Sequence, residues 1–352
     1  MGAPNGFWAV VAFIAGAMVG SFLNMAIWRL PRRKTESVLY TLTNPSRSYC
    51  PKCNKPLSVL DNIPLISFLA LRAKCRQCKA PIAWRYFWVE VLTGLVFLAL
   101  TLHFGPTATS IVYCLFFAAL IAALFIDLGH FIIPDELNTF ALVVGIAYDV
   151  WGIVQHNPAN ALLWGWLPRS IFGAIVCAGV FVFIQILGFA LFKKEAMGDG
   201  DVKLARAIGS LLPISQALVS FLLAIGVGAV FGAVLLAITA AQSSKAGAAE
   251  SEVDEPDDEE GQNPVTLGDI AQLGLCYMGF VDLILNIGAA LKIPAAVKFA
   301  ASTAEETLED EDNFQAGPTH IPFGPYMVVG AFLAVFFSDS LVAWYLRWAH
   351  LA

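Results

Sequence analysis

Seven stretches of this chain are long, apolar and nearly free of charge: 7–28, 87–103, 109–126, 137–154, 170–192, 216–239 and 326–348. A helix needs about 20 mostly apolar residues to cross the hydrocarbon core of a bilayer. A shorter run, 202–212, ends at Pro213 and reads as a brief eighth span. Strands do not fit. Alternation at period 2 is absent, and an open sheet in lipid leaves backbone donors and acceptors unpaired. Charged residues are 14% of the 352, against roughly 25% in soluble domains. The sequence predicts an all-α integral membrane protein, a polytopic bundle of about eight transmembrane helices surrounded by lipid.

The charges that remain are sorted along the chain. Acidic residues crowd into 250–260 and 305–311, whereas Arg29, Arg32, Arg33 and Lys34 follow the first span directly, with Arg47, Lys52, Lys55, Arg72, Lys74, Arg76, Lys79 and Arg85 behind them. Excess Lys and Arg mark cytoplasmic loops. Loop 29–86 is therefore expected in the cytoplasm and the N-terminus outside. Residues 1–6 carry no side-chain charge and no small-x-small cleavage site precedes the basic cluster, so 1–28 reads as a retained first span rather than a cleaved signal. Alternation then places the links 127–136 and 193–201 in the cytoplasm. The stretch 240–320 also falls there, as an acidic insertion whose flanks lack the apolar surface to order themselves. Within it, 267–293 is apolar but carries Asp269, Asp282 and Asn286, and is read as not crossing the membrane.

Loop 29–86 holds Cys50-Pro-Lys-Cys53 and Cys75-Arg-Gln-Cys78, separated by 21 residues. Each knuckle can aim two thiolates at one ion, and two knuckles complete a tetrahedral zinc site. The gap is close to the usual 15–20 or so of zinc ribbons. A cytoplasmic loop is kept reduced, which argues against disulfides. A structural zinc on Cys50, Cys53, Cys75 and Cys78 is expected, with no coordination position left for catalysis.

Carboxylates at membrane depth are costly, and an ionisable group there is a functional candidate. Asp127 follows the third span in Phe125-Ile-Asp-Leu-Gly-His-Phe-Ile-Ile-Pro-Asp135, and Asp201 ends Met197-Gly-Asp-Gly-Asp201. The topology, drawn from the basic loop alone, puts both on one face. Two carboxyls sharing a site cannot both ionise cheaply, so one holds a proton while the other acts as base. That pair can hydrolyse a peptide bond without metal or nucleophilic serine. Gly198 and Gly200 would let the backbone approach a substrate or take positive φ. The bland readings are caps and turns: Asp135 after Pro134 fits an N-cap, and Gly-Asp-Gly-Asp fits a turn. Gly198-x-Gly lacks the third glycine and the preceding strand of a dinucleotide site, and no nucleic-acid partner is expected.

In these motifs the sequence resembles the type IV prepilin peptidases, the bifunctional leader peptidases and N-methyltransferases of pilus and type II secretion systems. The likeness runs through Gly20-Ser-Phe-Leu-Asn24, Arg29-Leu-Pro31, both knuckles, Asp61-Asn-Ile-Pro-Leu65 and Arg85-Tyr86 with Val89-Glu-Val-Leu-Thr93. It continues in Asp127 to Ile133-Pro-Asp135, Gly198-Asp-Gly-Asp201 with Lys203, and Ile321-Pro-Phe-Gly-Pro-Tyr326. The resemblance implies that Asp127 and Asp201 are the catalytic dyad, with Asp135, Gly198, Gly200 and Lys203 as supporting motif residues. It implies pilin or pseudopilin precursors as substrates, cleaved on the cytoplasmic side of the bacterial inner membrane, and assembly machinery as a further partner. The new N-terminus is then methylated from S-adenosylmethionine, an activity linked to the knuckle loop. The division that follows is 1–28 first span, 29–86 knuckle loop, 87–239 peptidase core, 240–320 insertion, and 321–352 final motif and span. Two alternatives stay open: a presenilin-like Gly-x-Gly-Asp protease without methylation, and a proton-coupled transporter.

Overall fold

The computed structural model describes residues 6–33, 37–156, 167–192, 197–245, 274–280, 284 and 322–348. All its regular elements are helices, apart from two isolated bridges in the knuckle loop. They are α1 (Gly6–Arg29), α2 (Val38–Thr43), α3 (Ile66–Ala70), α4 (Trp84–Phe104), α5 (Ala108–His130), α6 (Asp135–Val154), α7 (Arg169–Phe192), α8 (Asp199–Leu211), α9 (Ile214–Lys245) and α10 (Gly324–Trp348). Seven of these, all but α2, α3 and α8, are long and apolar enough to cross a membrane, and the all-helical membrane fold holds. The flanks of the acidic insertion, most of the 156–169 link and Ile321 lie outside the described residues.

Local chemistry fixes several ends. Thr107 caps α5 by accepting from the Ser110 N–H, and α4 stops at Gly105, whose φ of +73° suits a residue without Cβ. At the other end of α5, Phe131 turns left-handed and its N–H returns to the Asp127 carbonyl at 2.9 Å. The chain then reverses within four residues into α6.

Helices in lipid gain little from hiding apolar surface from one another, so close backbone approach does more of the work. Three contacts follow that rule. Gly16 and Gly20 of α1 lie against Gly94, Thr93 and Glu90 of α4, and a Cβ on either would come within 2.9 Å of an α4 backbone atom. Gly173 of α7 meets Gly209 of α8, and Gly330 of α10 meets the Ser220 carbonyl of α9. The outward faces remain apolar, with Phe22, Ile111, Phe183, Leu222 and Phe337 exposed.

Two helices form the interior. The most apolar window of α5 is 72% buried, whereas no other candidate span exceeds 44%. Phe116, Phe117, Ile121 and Ile126 are all but inaccessible, and α5 touches α1, α4, α6 and α10. The 13 residues of α8 rise only about 20 Å, too short to cross the core alone. Val202 and Leu204–Leu211 are buried against α6 and α7. The eighth rod expected from the sequence is thus an inner helix sheathed by protein.

The loop between α1 and α4 is held down at several points. Arg29 donates to the carbonyls of Thr41, Leu42 and Pro45, at 2.9–3.1 Å. Asn24 donates to the Tyr86 carbonyl at 2.9 Å, and the Leu65 N–H donates to Glu90 at 2.8 Å. Arg33 pairs with Glu136 at the start of α6. The knuckle loop therefore sits at the same end of the bundle as the α5–α6 turn.

Candidate active site

Asp127 lies in the last turn of the innermost helix. Its residue is 5% exposed, and the Gly324 N–H donates to its carboxylate. Oδ2 is fully buried and has no hydrogen-bond partner among the described residues. A Cβ built on Gly324 would stand 2.5 Å from that oxygen. The glycine of Pro322-Phe-Gly-Pro therefore lets the start of α10 close over the carboxyl.

Asp201 stands in the first turn of α8, where unpaired N–H groups carry partial positive charge. Two contacts bring this helix end to Asp127. Ile133, from the α5–α6 turn, sits 3.2 Å from a Cβ built on Gly200 and 3.0 Å from one built on Gly324. Asp127 and Asp201 stand near enough for their charges to interact. Residues from three separate parts of the chain thus converge around Ile133. Gly198 has an ordinary φ of −73°, so positive φ is not why these glycines are there. At Gly200 the reason is close approach.

The surrounding polar groups anchor that turn. Gln185 of α7 donates to the Met197 carbonyl at 3.0 Å and to Asp199 at 3.2 Å. Asp135 is the first residue of α6 and does not cap it. Pro134 occupies the cap position, and the Asp135 carboxylate accepts two bonds from Lys203 Nζ, at 2.6 and 2.8 Å. This ion pair locks α8 to α6 two residues from Asp201. Lys203 also lies 5.0 Å from the Tyr277 ring centre.

The four cysteines of the loop gather separately. Their Sγ atoms lie within 4.8 Å of one another, with Cys50 and Cys78 at 3.8 Å. Four sulfurs about 2.3 Å from a tetrahedral centre stand about 3.8 Å apart, so the set fits one zinc-sized ion. The two knuckles are built alike. Cys50 N–H bonds the Lys55 carbonyl and Cys75 N–H the Ala80 carbonyl, with Asn54 and Lys79 left-handed at matching positions. Backbone N–H groups of Cys78 and Gln77 pull the Cys75 thiol down to about 6, which favours the thiolate that a metal needs.

Residues 14–104 match the bacterial peptidase A24 N-terminal domain, and residues 114–233 match the type IV leader peptidase family. A prepilin leader peptidase/N-methyltransferase of Myxococcus xanthus (strain DK1622) is 33% identical over 322 residues, covering 91% of this chain and 88% of that protein. The chain belongs to the type IV leader peptidase family. A second relative with the same name, from Aeromonas hydrophila, is 33% identical over 67% of this chain and 83% of its own length. A type 4 prepilin-like proteins leader peptide-processing enzyme of Escherichia coli O78:H11 is 34% identical over 57% of this chain and 76% of its own. No solved structure matches. The four loop cysteines of this leader peptidase fall in the first matched region, and Asp127, Asp135, Asp201 and Lys203 in the second.

Gly324 of the leader peptidase falls beyond both matched regions, yet it contacts Asp127. Sequence reasoning noted its motif without seeing this contact. Gln185, Glu136 and Arg206 were missed, and 267–293, read as not crossing the membrane, gave no sign of its contact with α8, because each acts on a partner distant in the chain. Arg206, 1% exposed in α8, was the one with a visible signal, an arginine inside an apolar helix. It donates to the Tyr277 carbonyl at 2.8 Å.

Proposed function

We propose that Asp127 and Asp201 are the catalytic pair of a membrane aspartic endopeptidase that removes the leader of type IV pilin-like precursors. By family, the chain is a prepilin leader peptidase and N-methyltransferase; the residue roles are our reading. One carboxylate takes a proton from water, whose oxygen attacks the scissile carbonyl carbon. The protonated partner donates to the carbonyl oxygen, and collapse of the tetrahedral species expels the amine, which takes up a proton. Asp135 and Lys203 hold α8 in register, Gly200 lets Ile133 pack on the first turn of α8, and Gly324 leaves room for the Asp127 carboxyl. The active site faces the cytoplasm of the inner membrane, beside the basic knuckle loop.

The observation that carries this reading is the buried, unbonded Oδ2 of Asp127 beside the first turn of α8. A carboxyl that only capped a helix would have that oxygen bonded or in water. A transporter would hold its ionisable groups nearer the bilayer midplane. Zinc, bound by Cys50, Cys53, Cys75 and Cys78, serves as a structural crosslink of the loop. S-adenosylmethionine, when bound, would supply the methyl group for the new α-amine.

Asp127→Asn and Asp201→Asn are each expected to lower leader cleavage at least a hundredfold, the lower range of acid–base catalysis, with normal membrane insertion. The assay is cleavage of a pilin precursor by purified enzyme in detergent. Near-normal turnover by either variant would remove that residue from the pair.

A further inference from the structure

The long helix α7 carries a single amide. From 171 to 192 every other residue is apolar or glycine, and Gln185 alone can give a strong hydrogen bond. It is only 7% exposed. A side-chain amide is expensive in that setting unless its donors are bonded. Gln185 takes no part in the acid–base steps of cleavage, so its place in α7 needs another reason.

Its amide nitrogen gives bonds to two groups of one turn, the Met197 carbonyl at 3.0 Å and Asp199 Oδ1 at 3.2 Å. Those two residues flank Gly198, whose carbonyl accepts from the Asp201 N–H at 3.1 Å. The amide therefore grips the 197–201 turn on both sides of the carbonyl that holds the Asp201 backbone. Another contact between α7 and α8 lies at the far end of α8, where Gly173 meets Gly209 backbone to backbone. Gly209 is eight residues from Asp201, about 12 Å along the helix. With α8 held to α7 at Gly209 alone, a tilt of about 5° would carry Asp201 by about 1 Å. A misplacement of that size can cost a hundredfold in rate. The Lys203–Asp135 ion pair resists motion of this turn away from α6. Gln185 resists motion away from α7.

We infer that Gln185 is a positioning residue for leader cleavage, holding the Asp201 carboxyl at its working place beside Asp127 through the 197–201 turn. The inference rests on the catalytic role of Asp201. Because Gln185 acts through the turn and not on the peptide, its loss shows in turnover and not in substrate affinity.

Gln185→Met keeps the length and bulk of the side chain and removes both donors. In full-length enzyme purified in detergent and cleaving a pilin precursor, it is expected to lower kcat roughly ten- to a hundredfold. KM and the melting temperature should stay near the wild-type values. Gln185→Glu has no donor while ionised, but its protonated carboxyl gives one O–H bond. Asp199 faces the new charge directly, Asp127 stands on the α5 side, and Asp135 and Lys203 neutralise each other on the α6 side. Burial and the Asp199 charge both favour the protonated form. The kcat of Gln185→Glu, divided by that of the wild type at the same pH, should therefore rise several-fold from about pH 8 to about pH 5.5. The same ratio for Gln185→Met should stay flat, since the titration of the catalytic pair cancels in it. Wild-type kcat in Gln185→Met overturns the inference. So does a fall in kcat that KM and the melting temperature follow, with no recovery of Gln185→Glu in acid, because a brace for the fold alone would behave that way. Normal cleavage by Asp201→Asn removes the catalytic pair and this inference with it. An inactive Asp201→Asn beside a fully active Gln185→Met removes this inference alone.

Discussion

At Gly324 the backbone runs so close to Asp127 that a side chain there would press on the carboxyl whose position the chemistry depends on. Misplacing a reacting group by about 1 Å can cost a hundredfold in rate. Gly324→Ala is therefore expected to lower kcat by roughly that factor while the protein still inserts and melts normally. Unchanged kcat in this variant would mean that α10 does not shape the site. A second residue-scale effect concerns Cys75, whose thiol is held at about 6, below the ordinary 9.0. A depressed group is a thiolate above its folded value and regains its proton as pH falls through it. Burial and the neighbouring thiols push Cys78 the other way, up to about 11, so zinc must expel a proton there throughout. Its affinity should therefore fall steadily as pH falls, and more steeply below pH 6. Titrating zinc against a chelator from pH 7.5 to 5 tests this; an affinity flat across that range would contradict it.

Among the elements, α8 carries the unusual burden. It is short and sheathed by protein, and it bears both Asp201 and Arg206. The guanidinium is satisfied in part by the Tyr277 carbonyl, and its carbon lies 5.5 Å from the Phe280 ring centre. Gly274 packs on Val182 and Met278 on Gly179 of α7. The 274–280 segment, which belongs to the acidic insertion, is thus a brace for the helix that carries Asp201. Removing one partner of a buried charge costs about 3–5 kcal/mol. Deleting 274–284 should lower the melting temperature and activity together, whereas deleting 243–261 should change neither. Equal tolerance of both deletions would show that the brace is dispensable.

For the whole molecule, the Arg33–Glu136 pair places the knuckle loop, the α5–α6 turn and the start of α8 at one end of the bundle. From the basic loop we propose that this end is cytoplasmic. A cysteine introduced at Val59 or Gly129, in a background with Cys114, Cys177 and Cys276 replaced, should react with impermeant thiol reagents only from inside. One at Pro106, in the α4–α5 link, should react only from outside. Labelling of Val59 and Pro106 from the same side would sink the topology.

Much of this was legible in the chain itself. The seven long spans, the knuckles and the two aspartates announce themselves through run length, spacing and charge in apolar surroundings, all properties of neighbouring residues. Asp135 was read from sequence as a fitting N-cap because capping is the local option, but Lys203, 68 positions away, claimed it. What the sequence determined alone was that this is a helical membrane protein with a four-thiol loop and two isolated carboxylates. That the turns bearing the two carboxylates converge on Ile133, that Gly324 covers one of them and that part of the insertion braces α8 was decided by tertiary packing. Such contacts join segments far apart in the chain, and only the close approach of packed helices selects which polar group finds which partner.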